Sequence, residues 1–264
     1  MKHGLILFTL MILSSHGFSA MQTETVLYKD GDLNLKGTVL FDDAYEGKRA
    51  GILVLPEKWG VNDFAILRAE MLAETGYVAF IADMYGEAKN TRKLEEANQW
   101  EKTLTENSDA WLNRSKLALD QLLALKNVDK GNIALLGLNM GGISAIKLAQ
   151  VNTNIKGTAM IHAPINKYIN AEILTGLSSS LLVLQGGADS AASFSSMAKF
   201  AENLNDQETP WEMVVYGGAM QSFSDPYADS YGLENVGFNE DAEKKSWDRV
   251  LLFFESLFEE ELIL

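Results

Sequence analysis

The sequence predicts an α/β protein in which a mostly parallel sheet is covered by helices on both faces, preceded by an antiparallel hairpin. Short apolar, β-rich runs alternate with helical patterns along one block, and several of them end in glycine turns. The first two runs flank the tight turn Lys29-Asp30-Gly31-Asp32. No linker, repeat or low-complexity tract interrupts the 264 residues, so residues 21–264 are expected to form one domain behind a leader at 1–20.

Residues 23–28 and 33–41 read as the hairpin strands. A buried strand is expected at 51–55, an amphipathic helix at 63–74, and a second buried strand at 77–82 that runs into Asp83-Met84-Tyr85-Gly86. Residues 110–125 place apolar side chains at helical spacing, and 127–131 break the chain before a strand ending near 138. A helix follows from 140 to about 151. Three further β-rich runs lie at 155–161, 181–185 and 211–216, with a helix at 193–204 between the last two and a closing helix at 241–257. The longest irregular stretch, 217–239, is rich in Gly, Ser, Asp and Tyr, and loops of that length usually serve a site.

Residues 1–20 have the pattern of a secretory signal. Lys2 and His3 precede an apolar run from 5 to 13, and small residues follow around Gly17, Ser19 and Ala20, with cleavage expected after Ala20 or Ser19. The run is too short to span a bilayer, so the expected destination is periplasmic or secreted, with no membrane association after cleavage. The absence of cysteine removes disulfides and a thiolate nucleophile from consideration. A formal charge of -14 repels phosphate backbones, so no nucleic-acid partner is expected. No His, Cys or Asp cluster in the sequence has metal-ligand spacing, and neither metal nor cofactor is expected.

The most informative stretch is Ile133-Ala-Leu-Leu-Gly-Leu-Asn-Met-Gly-Gly142. A β-favouring run stops at Gly137, one exposed residue follows, and Gly141 and Gly142 allow a helix to start hard against the strand, as in a nucleophile elbow. The alternative is an ordinary glycine-rich strand-to-helix turn. Asn139 stands at the tip, and a carboxamide has no proton that a histidine can remove to make a nucleophile at neutral pH. Two later segments follow the chain order acid, then base. Leu184-Gln185-Gly186-Gly187-Ala188-Asp189 puts an aspartate after a strand and a glycine turn, and Tyr216-Gly217-Gly218-Ala219-Met220-Gln221-Ser222-Phe223 puts Gln221 at the base position.

With these segments the chain resembles the dienelactone hydrolase family, enzymes of the α/β-hydrolase fold that open lactones and related esters. The resemblance runs from about 23 to 258 and includes Leu55-Pro56-Glu57-Lys58-Trp59-Gly60-Val61-Asn62-Asp63, residues 68–72, 74–80, Asp83-Met84-Tyr85-Gly86 and the C-terminal stretch from Ser246-Trp247-Asp248-Arg249 to Phe254. It implies a triad of elbow nucleophile, aspartate and histidine, which here reads Asn139, Asp189 and Gln221. It further implies that Glu57 lines the pocket, that the amides of Met140 and Lys58 form an oxyanion hole, and that Tyr85 borders the ligand. Glu57 has another reading, as a solvated loop carboxylate capping the next helix. Trp59 and Tyr85 can equally be core, and Tyr227 and Tyr231 can border a mouth over the pocket.

The expected function is therefore a hydrolytically impaired or inactive relative, a pseudoenzyme that binds a small lactone, ester or carboxylate. The rival expectation is a carboxylic-ester or lactone hydrolase with a relocated site built on His162, the sole histidine of the mature part, with Glu57 or a spare hydroxyl such as Ser222 or Ser144. A histidine at a strand end is as readily a packed structural group.

Overall fold

The computed structural model describes residues 20–168, 174–207 and 209–259. Residues 1–19 of the expected leader lie outside the described residues. An eight-stranded sheet forms the frame, with spatial order β1-β2-β4-β3-β5-β6-β7-β8. The hairpin is β1 (Met21–Asp30) and β2 (Leu33–Asp42), paired from Met21 with Asp42 to Asp30 with Leu33 around Gly31, whose φ of 59° suits the turn. β2 lies antiparallel on β4 (Val78–Ile81); from β4 onward every pairing is parallel, through β3 (Arg49–Leu55), β5 (Val128–Leu138), β6 (Ile155–Ile161), β7 (Ser180–Gly186) and β8 (Trp211–Tyr216).

Strand alternation sorts the core into two layers. Leu53, Leu55, Ile133, Leu135, Leu181 and Val183 point to one face, and their chain neighbours Ile52, Val54, Ala134, Leu136, Leu182 and Leu184 point to the other. Helices α3 (Ser108–Ala124), α4 (Met140–Val151) and α6 (Phe194–Asn205) cover the first face through Leu122, Ile146 and Phe200. Helices α1 (Asp63–Glu74) and α7 (Glu240–Phe258) cover the second through Phe64, Leu72, Trp247 and Phe254. Both faces being covered explains why the parallel strands are apolar runs without polar alternation.

The expected elements are present with shifts of one or two residues at most ends, except that the strand feeding the elbow begins at Val128, inside the segment expected to break the chain. Two helices go beyond the sequence reading: α2 (Leu94–Thr105), which has no side-chain cap and buries only Ala97, Glu101 and Leu104, and the single turn α5 (Ile165–Tyr168). The long segment 217–239 is pinned by a bridge between Gln221 and Val236 and carries a 3-10 turn at Ala228–Tyr231.

One buried side chain ties that segment to the frame. Arg68 sits on the apolar stripe of α1, where Nη2 donates to the Ser224 carbonyl at 2.7 Å and to Glu243 Oε1 at 2.8 Å. Its guanidinium lies 5.2 Å from the Phe64 ring centre and 4.6 Å from that of Trp247. The carboxylate, the carbonyl and the ring faces offset part of the cost of the desolvated charge, while Nε is buried without a hydrogen-bond partner.

Backbone contact sets the junction of β5 and α4. A Cβ on Gly141 would lie 1.9 Å from the Leu55 carbonyl oxygen, and one on Gly137 would lie 2.4 Å from the Gly142 Cα. Gly141→Ala therefore forces strand from helix and is expected to lower stability by more than about 2 kcal/mol in denaturant titration. Gly131→Ala, where the added carbon meets only Asp129 Oδ1 at 3.5 Å, is the control and should change stability by less than about 1 kcal/mol.

Candidate functional site

The elbow forms where the sequence places it. Between the end of β5 and the start of α4, Asn139 takes φ 51° and ψ -119°, a conformation that costs a non-glycine residue about 1–3 kcal/mol. The turn is held by Asn139 N donating to the Ile161 carbonyl at 3.0 Å and by Gly142 N donating to the Asn139 carbonyl at 2.9 Å. The side chain is 7% exposed. Its Oδ1 accepts from Met140 N at 2.8 Å, and its Nδ2 donates to the His162 carbonyl at 3.4 Å.

His162 follows β6 with a φ of 42° and is fully buried. Its ring packs on Phe64 and edge-on to Phe223, its Nε2 lies 3.0 Å from Ser224 Oγ, and its Nδ1 lies 3.7 Å from Glu57 Oε1. Burial, reinforced by the Arg68 charge, pushes the imidazole pKa down to about 3, so the ring is neutral at physiological pH. Glu57 is buried too, and Ser222 Oγ donates to its Oε1 at 3.4 Å. Desolvation and the nearby Asp225 charge raise the Glu57 carboxyl well above the usual range, which favours the protonated acid. Glu57 is thus no solvated cap: the cap of α1 is Asn62, whose Oδ1 accepts from Ala65 N at 3.0 Å.

The acid and base loops are joined by their backbones. Gly187 N donates to the Tyr216 carbonyl at 2.7 Å and Ala188 N to the Ala219 carbonyl at 2.9 Å. Asp189 Oδ1 accepts from Ala191 N at 2.8 Å, whereas Oδ2 is buried without a hydrogen-bond partner. Desolvation raises this carboxyl to about 6. Gln221 lies in the bridge with Val236, its carbonyl accepting from Gly237 N at 3.2 Å, and the next residue, Ser222, has a φ of 58°. Contacts thus join Asn139, His162, Glu57 and Ser222, and the Asp189 loop meets the loop carrying Gln221.

Around this centre, the Tyr85 hydroxyl lies 3.5 Å from Met140 Sδ, which puts Tyr85 against the elbow helix, and burial pushes its phenol pKa up. The Lys58 side chain runs the other way: Nζ donates to Asn98 Oδ1 at 3.0 Å and lies over the Trp59 ring, and burial lowers its pKa. Trp59 stacks on Tyr231 with ring centres 4.3 Å apart. Ser144, one of the spare hydroxyls, accepts from Trp111 Nε1 and donates to the Met140 carbonyl, so it is committed to packing.

Ser224, Asp225 and Arg68 belong to the centre but were not legible as site residues. Asp225 is fully buried and accepts from the Tyr231 hydroxyl at 2.9 Å. The usable signal was Arg68, a lone cation on the apolar stripe of α1, which demands a buried acceptor. Among the described residues no group of three or more His, Cys, Asp or Glu side chains is placed to hold a metal ion, and no helix is long and apolar enough to cross a membrane.

Comparison with known proteins agrees with the fold. A dienelactone hydrolase-like promiscuous phosphotriesterase from metagenomic libraries superposes with a TM-score of 0.85 at 29% identity, covering 90% of this chain and 99% of that one. A dienelactone hydrolase from Anabaena variabilis, at 16% identity and a TM-score of 0.60 over 86% of this chain and 96% of its own, shares the fold. An uncharacterized protein of Caenorhabditis elegans is 28% identical over 148 residues, which are 55% of this chain and 92% of that protein. The model of the dienelactone hydrolase family matches residues 37–258, and the chain belongs to that family.

Proposed function

We propose that this protein is a hydrolytically silent member of its family, whose remaining capacity is to bind a small lactone, ester or carboxylate. The observation that carries the reading is the carboxamide at the elbow tip, hydrogen-bonded to the backbone at both ends, where acyl transfer needs a nucleophile that can lose a proton. The unpartnered Oδ2 of Asp189 supports it, because an acid that orients an imidazole spends that oxygen on the ring. In a triad that acts as a unit, loss of the nucleophile alone costs about a millionfold, and loss of the base adds little.

A second reading has one observation in its favour: Ser224 Oγ, the His162 ring and Glu57 Oε1 stand in the order hydroxyl, imidazole, carboxyl. The same surroundings argue against it. Ser224 and His162 are fully buried, and a ring with a pKa near 3 is a weak base at neutral pH. The purified protein is expected to leave p-nitrophenyl acetate unhydrolysed above background and to resist labelling by a fluorophosphonate; turnover lost in His162→Ala would establish the second reading instead. Export to the periplasm or medium, proposed from the pattern of residues 1–20, is checked by fractionating cells that express the full chain.

Two further outcomes are expected. Asn139→Cys combined with Gln221→His restores measurable ester or lactone hydrolysis, because the elbow and the acid loop are already in place; a folded double variant without activity refutes the triad assignment. Asp189 has its own pH signature. With a carboxyl pKa near 6 when folded and an ordinary 3.8 otherwise, the folded state holds the proton longer, so the native protein loses stability as pH rises through this window. Asp189→Asn lacks that loss. Relative to wild type it should gain about 1 kcal/mol per pH unit, roughly 2 kcal/mol in all, between pH 4 and 6, read from denaturant midpoints, while His162 titrates alike in both proteins and cancels.

A further inference from the structure

Met140 opens α4, and the first amides of a helix have no acceptor within it. In a working elbow the amide directly after the nucleophile faces the carbonyl oxygen of the substrate. Here that amide already donates, at 2.8 Å, to Asn139 Oδ1. The far end of the same side chain is held by the His162 carbonyl through Nδ2 at 3.4 Å. Turning the carboxamide over would set N–H against N–H and C=O against C=O, so the two neighbours fix its orientation. It presents to the Met140 amide a planar carbonyl, the group that an ester or acid would bring.

We propose that the Asn139 carboxamide is the resident occupant of the oxyanion hole and keeps the carbonyl or carboxylate oxygen of small ligands away from the Met140 amide. Asn139 is then a specificity-determining residue as well as a lost nucleophile. This rests on the elbow assignment made above and not on the absence of hydrolysis. A tethered carbonyl competes with a diffusing one at an effective concentration no free ligand reaches, so a carboxylate gains the amide only by breaking both side-chain hydrogen bonds. The backbone fits the same role. At φ 51° and ψ -119°, residue 139 is close to the first central position of a type II′ turn, where glycine is preferred, and the two hydrogen bonds offset the strain of a larger residue.

Asn139→Gly removes the occupant and suits the backbone. Deuterium exchange at the Met140 amide, followed by NMR, is expected to be at least tenfold slower in wild type than in Asn139→Gly. Titration with phenylacetate should leave the Met140 resonance in place in wild type. In Asn139→Gly the resonance should move, with at least tenfold tighter binding. Equal exchange in the two proteins, or a Met140 shift in wild type with the dissociation constant of the variant, overturns the proposal. Should Asn139→Gly fail to fold, wild type decides by itself, since a Met140 amide exchanging at the rate of an open peptide is equally fatal. Ester turnover measured on the same sample separates the two ideas: turnover with a protected amide refutes hydrolytic silence and leaves the occupant standing, and silence with an unprotected amide does the reverse.

Discussion

Main chain pressed against main chain where β5 gives way to α4 is the constraint on which the site depends. Gly141 meets the Leu55 carbonyl and Gly137 meets Gly142 at distances that leave no room for a side chain. Strand and helix can then lie this close only if the chain reverses within one residue, and residue 139 carries the whole turn at positive φ. Whatever stands there is aimed at the carboxyl edge of the sheet, reactive or not. The geometry belongs to the glycines and persists when the chemistry of the tip changes.

A second regularity is the suppression of charge. Glu57, Asp189 and Asp225 are shifted toward their protonated forms and His162 toward its neutral form, in each case chiefly because burial penalises the ion. A relay that moves protons needs a base that takes the proton near the working pH, whereas here burial lifts the acids and lowers the imidazole, so the ring holds a proton less readily than the Asp189 carboxyl does. His162 instead packs between Phe64 and Phe223, in contact with Ser224 and Glu57, in surroundings that penalise charge. His162 and Ser222 share positive φ with Asn139, so strained backbone gathers where the loops meet.

Elements whose order comes from local pattern were legible in the sequence. The buried strands and α1 follow from apolar periodicity, the hairpin from its turn around Gly31, and the elbow from glycine spacing. Asn139, Asp189 and Gln221 stand out in the sequence as candidate positions because each follows a strand end, directly or after a glycine turn. α2 escaped because its buried side is only three residues wide and no cap marks its start. The partners of His162 escaped for a different reason: Ser224 lies 62 residues away, and only the docking of segment 217–239 against α1 brings it within reach. Nor did the sequence reveal that the Met140 amide is engaged, since the identity of Asn139 says nothing about where its oxygen turns.

The buried guanidinium of Arg68 grips α1, the Ser224 carbonyl and the first turn of α7 in one knot, closed by the ring of Trp247. Such a knot cannot be loosened one strand at a time. The floor beneath His162, the start of the terminal helix and the helix after β3 should therefore breathe as a single cooperative unit. A disturbance at Glu243 would travel to the imidazole through two side chains and one carbonyl.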